Sequence, residues 1–488
     1  MRLLRSFLIV LLALAQLVWA KPKDVYEERP HVVKSIETGA AALEIRLQMV
    51  ERARASIEVE YFIFHNSDST RIFVEALVRK KLANPEVKIR LLVDYFALSK
   101  SIDAFDAHAL IERGIEVRYY NPVFLLNIPK VSHRNHRKII VVDQKEALLG
   151  GRNMGDEYFD LRPRYNFLDR DIWVEGPIAA EVTESFDSFW ESVNTRVPAK
   201  PRPPSRNPHD RSPGIYLAQK RNFERKLLAA QRFASPFVEG EIEDDRLIAL
   251  RRRFHELGGR LLAEEPAFTV SGIQFIADGP DWKIEEHRMT GRLFYTFMDQ
   301  ASKQVDIEVP YFYLQKEERA FFTGLRERGV NVRLLINAKN ASNEYVINYI
   351  TLIQGLEFSR MGFEVFLNEG RLVDFDELPV AVPSPKARWM VHAKTMSVDE
   401  SIVWIGTLNM DPRSVQRLNA ELGVVVFDEA FTKHVKRNMQ LRMAGSLAVE
   451  NGLVERNGQK VDPAEADNLW ELIQSLKTLP FYVFENQI

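Results

Sequence analysis

The alternation of apolar and polar residues along the chain is repeated once, over a long period. An apolar, β-rich run at residues 57–62 (IEVEYF) resembles a second run at 307–312 (IEVPYF). Each run is followed by an amphipathic helical pattern and then by a second strand pattern, at 70–83 and 87–94 in the first half and at 316–328 and 332–337 in the second. Strands that alternate with helices predict βαβ units and a sheet covered on both faces. A period of roughly 250 residues is too long for a solenoid. The pattern therefore predicts an α/β fold of two duplicated lobes, each a mixed sheet flanked by helices.

The two halves also end in the same way and are separated by a proline-rich stretch. A strand pattern followed by an amphipathic helix closes each half, at 171–193 and at 422–440. Residues 201–213 are rich in proline, which is typical of a linker. We therefore predict four segments after the leader: a first lobe over 21–200, a linker with connecting helices over 201–264, a second lobe over 265–445 and a C-terminal extension over 446–488.

The first twenty residues differ from the rest of the chain. Arg2 and Arg5 precede an almost uncharged apolar run at 6–20, and small or β-branched residues stand at the −3 and −1 positions of a cut before Lys21. This pattern predicts a signal peptide at residues 1–20, because about fifteen apolar residues are short for a membrane span of about twenty. An uncleaved signal anchor is the alternative. In both cases we expect an exported protein, periplasmic or secreted, and membrane-associated if the anchor remains.

Composition and charge exclude several classes of protein. The 488 residues are 46% hydrophobic and 27% charged, which excludes a mostly disordered or fibrous chain. The net charge of −2 neither favours nor excludes nucleic acid, and the absence of cysteine excludes disulfides, thiol catalysis and Cys-ligated zinc. Basic residues cluster after the linker, at 220, 221, 225, 226 and 232. Such a cluster is typical of a solvated helix face, and the alternative is a docking surface for anionic lipid headgroups.

The candidate chemistry lies in two copies of one polar motif. The first copy consists of His136, Lys138, Asp143 and Asn153, and the second consists of His392, Lys394, Asp399 and Asn409. The spacing from the His to the Lys, to the Asp and to the Asn is the same in the two copies. Each motif has the pattern of a strand, a turn and a returning strand, and side chains two apart on a strand share a face. We therefore expect each His beside its Lys, with the Asn brought back to the same end.

A pseudo-twofold axis between the lobes would bring both motifs to one pocket suited to phosphoryl transfer. Two lysines and two asparagines supply fixed positive potential for phosphoryl oxygens, so we expect neither a metal nor another cofactor. Asn153 and Asn409 are predicted to contact the phosphoryl group. Thr407 is either a strand-end hydroxyl or a further phosphate ligand, and the sequence leaves both roles open.

The paired motifs resemble the HxKxxxxD signatures of the phospholipase D superfamily, over roughly residues 40–195 and 295–440. The flanking segments GGRNMGDEYF at 150–159, GTLNMDPRS at 406–414 and LNAE at 418–421 resemble bacterial cardiolipin synthases, particularly the branch without two N-terminal membrane helices. Gly151 and Thr407 stand where the superfamily often has Ser. A hydroxyl contact is therefore expected to be missing from the first lobe.

The resemblance implies a two-step mechanism through a covalent phosphohistidine. We assign His136 as nucleophile and His392 as acid, although the symmetry of the motifs leaves the order open. Each imidazole needs an orienting acceptor, and we predict Glu421 for the histidine of the second lobe. Asp169 is the matching prediction in the first lobe, with Asp171 as the alternative. Asp143 and Asp399 lie further from the histidines and are expected to brace the fold.

The function that the resemblance implies is phosphatidyl transfer to a lipid or glycerol hydroxyl, as in cardiolipin synthesis. A hydrolytic phospholipase D is the alternative, because only the access of water separates the two reactions. A nuclease is disfavoured by the neutral charge and the leader, and a binding protein with a dead site by the completeness of both motifs. The expected partners are a phospholipid membrane surface and phospholipid substrates, with no nucleic acid.

Overall fold

The computed structural model describes residues 30–96, 101–123, 133–205, 213–281, 283–284, 287–339, 341, 345–370, 387–415, 418–456 and 458–464. The predicted signal peptide at 1–20 lies outside the described residues. So do part of the proline-rich linker, 206–212, and the end of the C-terminal extension, 465–488.

The first eleven strands of the chain provide one nine-stranded sheet. The strands are β1 (His31–Ile36), β2 (Ser56–Tyr61), β3 (Lys88–Phe96), β4 (Glu116–Val123), β5 (Arg134–Asn135), β6 (Ile139–Val142), β7 (Glu146–Gly150), β8 (Tyr165–Leu168), β9 (Asp171–Glu175), β10 (Thr195–Arg196) and β11 (Phe268–Val270). Nine of them form a sheet in the order β10-β4-β3-β2-β6-β7-β9-β1-β11. β2, β3 and β4 are parallel and the pairings from β2–β6 to β9–β1 are antiparallel, so the sheet is mixed.

Strands in the second half form a matching sheet. They are β12 (Ile273–Ala277), β13 (Gln304–Glu308), β14 (Asn331–Asn337), β15 (Glu364–Asn368), β16 (Arg388–Val391), β17 (Thr395–Val398), β18 (Ile402–Gly406), β19 (Asn419–Ala420), β20 (Leu422–Val426), β21 (Leu447–Glu450), β22 (Leu453–Arg456) and β23 (Gln459–Val461). Ten of them form a sheet in the order β12-β20-β18-β17-β13-β14-β15-β21-β22-β23. Its first seven strands repeat β1-β9-β7-β6-β2-β3-β4 of the first sheet in order and direction. The predicted fold of two duplicated mixed-sheet lobes is therefore confirmed.

Eleven α-helices of the described residues cover the sheets. They are α1 (Gly39–Arg52), α2 (Asp68–Ala83), α3 (Ala104–Glu112), α4 (Ile178–Trp190), α5 (Pro213–Phe233), α6 (Ile242–Glu264), α7 (Thr290–Met298), α8 (Lys316–Glu327), α9 (Tyr345–Arg360), α10 (Pro412–Val415) and α11 (Glu429–Ala444). Side chains cap several of them: Thr38 accepts from Ala41 N, Asp103 forms a capping box at α3, and Asp428 accepts from Phe431 N. Such caps satisfy backbone N–H groups that have no partner within the helix.

The two lobes share a hydrophobic core in addition to their own. Buried aliphatic residues of β6, β7 and β9 pack with those of β18 and β20, together with α4 and α11; Val141, Ile172, Ile405 and Val424 are among them. Burying one apolar face of each sheet against the other stabilises the face-to-face arrangement of the lobes.

Two segments extend the sheets beyond the predicted domain limits. β11, which lies inside the range expected for the second lobe, pairs with β1 of the first sheet. β21 to β23, which lie in the predicted C-terminal extension, continue the second sheet beside β15. Among the described residues, no helix combines the length and the apolar character that crossing a membrane requires.

Candidate active site

Each histidine–lysine pair lies immediately before the first strand of a hairpin. His136 and Lys138 precede β6, and His392 and Lys394 precede β17. All four side chains are buried. Lys138 Nζ donates to the carbonyl oxygen of His136 at 2.6 Å, and Lys394 Nζ donates to that of His392 at 2.5 Å. Each lysine is thus held beside its histidine, as the spacing predicts.

Each imidazole is hydrogen-bonded to a carboxylate from the opposite lobe. His136 Nδ1 lies 2.8 Å from Glu421 Oε2, and His392 Nδ1 lies 2.6 Å from Asp169 Oδ2. The sequence-based pairing within each lobe, Glu421 with His392 and Asp169 with His136, is therefore wrong. The two acids were identified from the sequence, but each orients the histidine of the other lobe.

The crossed pairing follows from two short parallel sheets that join the lobes. β5 pairs with β19, with Asn135 opposite Ala420, so the next residues in register are His136 and Glu421. β8 pairs with β16, with Leu168 opposite Val391, and here the next residues are Asp169 and His392. The backbone N–H of His136 donates to Ala420 O at 2.9 Å, and that of His392 donates to Leu168 O at 2.8 Å. These backbone hydrogen bonds extend the strand pairing as far as the two histidine–carboxylate pairs.

Burial keeps both imidazoles neutral. It lowers the pKa of His392 to about 3 and that of His136 well below its usual range, and the positive charges of Lys138 and Lys394 act on both rings in the same direction. Because each lysine acts on both histidines, the two motifs share one electrostatic environment. A neutral imidazole that donates its Nδ1–H to a carboxylate carries its lone pair on Nε2.

The pKa values of the two lysines are lowered to different extents. Burial lowers the pKa of Lys394 to about 8, with Asp169 and Glu421 opposing the shift. Burial also lowers the pKa of Lys138 well below its usual range, and the charge of Lys394 adds to the effect. A bound anion between the two lysines would relieve this repulsion, which suits the site to a phosphodiester.

The two orienting carboxylates have different surroundings. Burial raises the pKa of Glu421 to about 7, although hydroxyls donate to both of its oxygens: Thr407 Oγ1 at 2.5 Å and Ser414 Oγ at 2.7 Å. Burial also opposes ionisation of Asp169, but its interaction with His392, together with the charges of Lys394 and Arg152, outweighs burial and holds the pKa of Asp169 below its usual value. Thr407 thus contacts the carboxylate, and it also accepts from Leu422 N at 2.9 Å.

Gly151 explains why the first lobe has no equivalent of the Thr407 hydroxyl. A Cβ at this position would stand 2.2 Å from Asp169 Oδ1, so the aspartate occupies the space of a side chain. Asp169 instead accepts from the backbone N–H of Arg170 at 2.8 Å. The shorter carboxylate reaches its histidine from a position that only glycine leaves open.

The two asparagines of the motifs are not equivalent. Asn153 Oδ1 accepts from Ile63 N at 3.2 Å, and its Nδ2 donates to Tyr158 Oη at 2.8 Å. Asn409 is fully buried, and neither its Oδ1 nor its Nδ2 has a hydrogen-bond partner among the described residues. Its amide is therefore the one of the two whose hydrogen bonds remain available to a ligand.

The motif aspartates lie at the opposite end of their hairpins from the histidines. Asp143 accepts from the backbone N–H groups of Arg54, Ala55 and Ser56 at 2.6–2.8 Å. Asp399 accepts from the backbone of residues 302–304 at 2.8–3.0 Å. Both have positive φ, 53° and 52°, which Asp adopts more readily than most residues. They connect each hairpin to the loop before the neighbouring strand and do not contact the imidazoles.

Asp171, the alternative orienting residue, has other partners. Its carboxylate lies 3.0 Å from Arg46 and 3.4 Å from Arg152, and it is buried. It forms an ion pair within the first lobe.

Several residues of the site had no distinct signal in the sequence. Tyr158 and Phe167 contact the His392 ring, with centroid separations of 5.2 and 4.8 Å, and Phe62 contacts the His136 ring at 5.1 Å. Tyr158 and Ser414 lie within the segments at 150–159 and 406–414 that resemble cardiolipin synthases, and this position is the sequence signal that could have identified them. In the part of the chain that the structure describes, no group of three or more His, Asp or Glu residues could hold a metal ion.

The duplicated fold and these residues define an enzyme of the phosphatidyltransferase or phosphodiesterase type. The family described as "Cardiolipin synthase, PLD-like domain" matches residues 47–190 and 294–443, which together exceed half of the chain. The protein therefore belongs to this family of the phospholipase D superfamily, and the resemblance found in its motifs is confirmed.

Known proteins are similar over most of the chain. Cardiolipin synthase C of Escherichia coli (strain K12) is 25% identical over 423 residues, which cover 82% of this chain and 82% of that protein. A cardiolipin synthase of Clostridium perfringens (strain SM101 / Type A) is 24% identical over 421 residues, 84% of this chain and 71% of that protein. The crystal structure of phosphatidylserine synthase from Haemophilus influenzae Rd KW20 has a TM-score of 0.59 at 13% identity and covers 95% of this chain and 96% of its own. That structure supports the fold.

Proposed function

We propose that the protein transfers a phosphatidyl group from one phospholipid to the hydroxyl of a second lipid or of glycerol, in the manner of a cardiolipin synthase. The observation that carries the proposal is the pair of buried imidazoles whose Nδ1 atoms are held by Glu421 and Asp169. The relatives named as cardiolipin synthases support the choice of substrate class.

In the proposed first step, His136 Nε2 attacks the phosphorus of the donor lipid. The new P–N bond forms as the bond from phosphorus to the headgroup oxygen breaks, and His392 gives that alkoxide a proton. Burial and the charge of Lys394 lower the pKa of His392 to about 3. The negative charge of a bound phosphodiester favours the protonated ring. It is therefore expected to raise the pKa of His392 so that the ring can carry the proton.

In the proposed second step, the acceptor hydroxyl replaces the departed headgroup. Its proton passes to the now neutral His392, its oxygen attacks phosphorus and the P–N bond breaks, so that His136 is regenerated. Lys138, Lys394 and the unpartnered amide of Asn409 would stabilise charge on the phosphoryl oxygens in both steps. If water takes the place of the acceptor, the product is phosphatidic acid, the outcome of a hydrolytic phospholipase D.

The proposal is tested by incubating the purified protein with phosphatidylglycerol and with phosphatidylethanolamine, followed by mass spectrometry of the lipids. Cardiolipin as the main product supports transfer, and phosphatidic acid alone would instead support hydrolysis. We expect the same turnover with and without EDTA, because lysine and asparagine side chains supply the positive potential. Turnover that requires a divalent cation would contradict this account of charge neutralisation.

The histidine roles are separated by an aryl phosphodiester whose leaving group needs no proton. With such a substrate, His392→Ala is expected to release one equivalent of phenolate in a burst and then stall, because the phosphohistidine forms without acid help and then lacks a base. His136→Ala is expected to give no burst. Phosphate on residue 136 in the stalled variant, found by mass spectrometry, would support the assignment. A burst from His136→Ala would reverse it.

We also propose that the enzyme works outside the cytoplasm, on the sequence of residues 1–20 alone. A fusion of alkaline phosphatase after residue 445 is expected to be active in a bacterial host, because this reporter folds only after export. An inactive fusion that accumulates at normal levels would contradict export.

A further inference from the structure

Helix α5 exposes large apolar side chains next to arginines on one face. Leu217 is 51% and Leu228 55% exposed, and Arg221 and Arg225 between them are also exposed. These four residues, spaced i, i+4, i+8 and i+11, form one stripe along the helix. We call this stripe the docking face.

The opposite side of α5 anchors the helix to the first lobe. The Phe223 ring contacts the Phe105 ring at 5.2 Å, and Ala230 and Phe233 are buried in the core. Core packing therefore accounts for the inward residues of α5 and leaves the docking face unexplained.

The first half of α5 extends past the edge of the sheet at which the active site lies. α5 and α3 run in the same direction, because Lys226 pairs with Asp103 at the start of α3 and Ser235 pairs with Arg113 at its end. Residues 213–222, about 15 Å of helix, thus project beyond the start of α3.

The start of α3 lies at the active-site edge of the first sheet. Ile102, just before the helix, donates its N–H to Phe64 O, and the neighbouring Phe62 contacts the His136 ring. The projecting part of α5 is therefore on the same side of the lobe as the histidines.

Charge is segregated along this hairpin of helices. The sequence of α5 has five basic residues and one acid, Glu224, which lies 3.8 Å from Lys220. The turn after α5 and the start of α6 are acidic, with Glu239, Glu241 and Glu243. An anionic surface would attract α5 and repel the acidic turn that follows it, which favours an orientation with α5 towards the surface.

We propose that the docking face binds the surface of an anionic phospholipid bilayer and brings the active-site edge to the headgroups. Leu217 and Leu228 enter the headgroup region while Arg221 and Arg225 pair with lipid phosphates. The inference deepens the proposed function, since it assumes that the substrates are lipids in a bilayer.

The test is flotation of the purified protein with vesicles of phosphatidylcholine alone and of phosphatidylcholine with phosphatidylglycerol. The double variant R221E/R225E is expected to bind the anionic vesicles at least about 25-fold more weakly than the wild type, because each basic residue near such a surface contributes about a factor of five. L217S/L228S is expected to weaken binding to both kinds of vesicle. The matched control is R252E/R253E, an equal charge reversal at exposed positions of α6, which is expected to bind within twofold of the wild type.

Two readouts keep the inference distinct from the proposed function. Turnover of detergent-dispersed phosphatidylglycerol is expected to be unchanged in all three variants, because none of these residues contacts the histidine site. Equal loss of vesicle binding in R252E/R253E, or wild-type binding by R221E/R225E, would overturn the docking face. A protein that binds anionic vesicles through this face but turns over no dispersed lipid would instead contradict the proposed function alone.

Discussion

At the scale of single residues, the site is defined by two imidazole–carboxylate pairs that differ in detail. Glu421 receives two hydroxyl hydrogen bonds, whereas Asp169 lies against the backbone at Gly151. The motifs are symmetric in sequence, so this asymmetry is the physical difference through which the two histidines can take different roles.

The pH dependence of activity follows from Glu421 and Lys394. Burial raises the pKa of Glu421 to about 7 and lowers that of Lys394 to about 8. In the proposed mechanism, protonation of Glu421 below about pH 7 would remove the charge that stabilises a positive His136. Loss of the proton of Lys394 above about pH 8 would remove a charge that is proposed to hold the phosphoryl group. We expect kcat/KM on a soluble phosphodiester to fall on both sides of this window.

Glu421→Gln separates these two effects. The kcat of the variant is expected to fall by about 10²- to 10⁴-fold, as in other enzymes in which the carboxylate that orients an imidazole is replaced. The fall of activity at low pH is expected to disappear, and the fall at high pH is expected to remain. Glu357→Gln, at a partly exposed surface pair with Arg319, serves as the control. An unchanged acid limb in Glu421→Gln would show that another group titrates there.

Gly151→Ala tests the space that Asp169 requires. The new Cβ would lie 2.2 Å from Asp169 Oδ1, so the carboxylate must move away from His392. A displacement of this size is expected to lower kcat by about 10²-fold. The control is Gly259→Ala in α6, where a Cβ meets nothing within 4 Å. Equal activity of the two variants would mean that Asp169 can move without cost.

At the scale of secondary structure, the short sheets between the lobes set the geometry of the site. β5–β19 and β8–β16 each place a histidine of one lobe beside an acid of the other. β16 is further held by Asn337 at the end of β14, which exchanges two hydrogen bonds of 2.8 Å with the backbone of Val391. The residue before His392 is thus fixed on two sides.

Asn337→Ala is expected to loosen β16 and to lower kcat by about 10- to 100-fold. It also leaves the buried backbone groups of Val391 without this partner, at a cost of about 1–3 kcal/mol in the free energy of unfolding. Asn331→Ala on the same strand is the control, since Asn331 is exposed and donates to Glu364. Kinetics and urea unfolding of both variants decide the matter: if the two behave alike, Asn337 does not position His392.

At the scale of the whole molecule, buried ion pairs connect the lobes beside their shared core. Arg170 pairs with Glu37 of the first lobe and Glu308 of the second, and Arg442 pairs with the same two acids. Because the shared core and these pairs involve both lobes, we expect the described part of the protein to unfold as one unit.

Arg170→Met tests this connection. It leaves the buried Glu308 with one of its two arginines and is expected to lower the free energy of unfolding by about 3–5 kcal/mol. Arg328→Met is the control, because the exposed pair of Arg328 with Asp299 is expected to contribute less than about 1 kcal/mol. Urea denaturation followed by circular dichroism measures both. A loss below about 1 kcal/mol in Arg170→Met would show that the remaining arginine suffices.

The two lobes, the repeated strand–helix–strand patterns and the residue types of the site could be predicted from the sequence, because they follow from local periodicity and from motifs with fixed spacing. Each lobe contains its own histidine, lysine and acid, so adjacency along the chain favoured pairing them within a lobe. The partners of the histidines, in contrast, depend on the tertiary fold: at the histidines, β5–β19 joins residues 285 positions apart and β8–β16 joins residues 223 positions apart. Hydrogen bonds between strands depend on which edges meet in space, and no local pattern encodes that meeting. For the same reason the sequence did not predict the ion pair of Arg170 with Glu308, which crosses the interface between the lobes. It also did not predict that the carboxylate of Asp169, on a neighbouring segment, occupies the space beside Gly151.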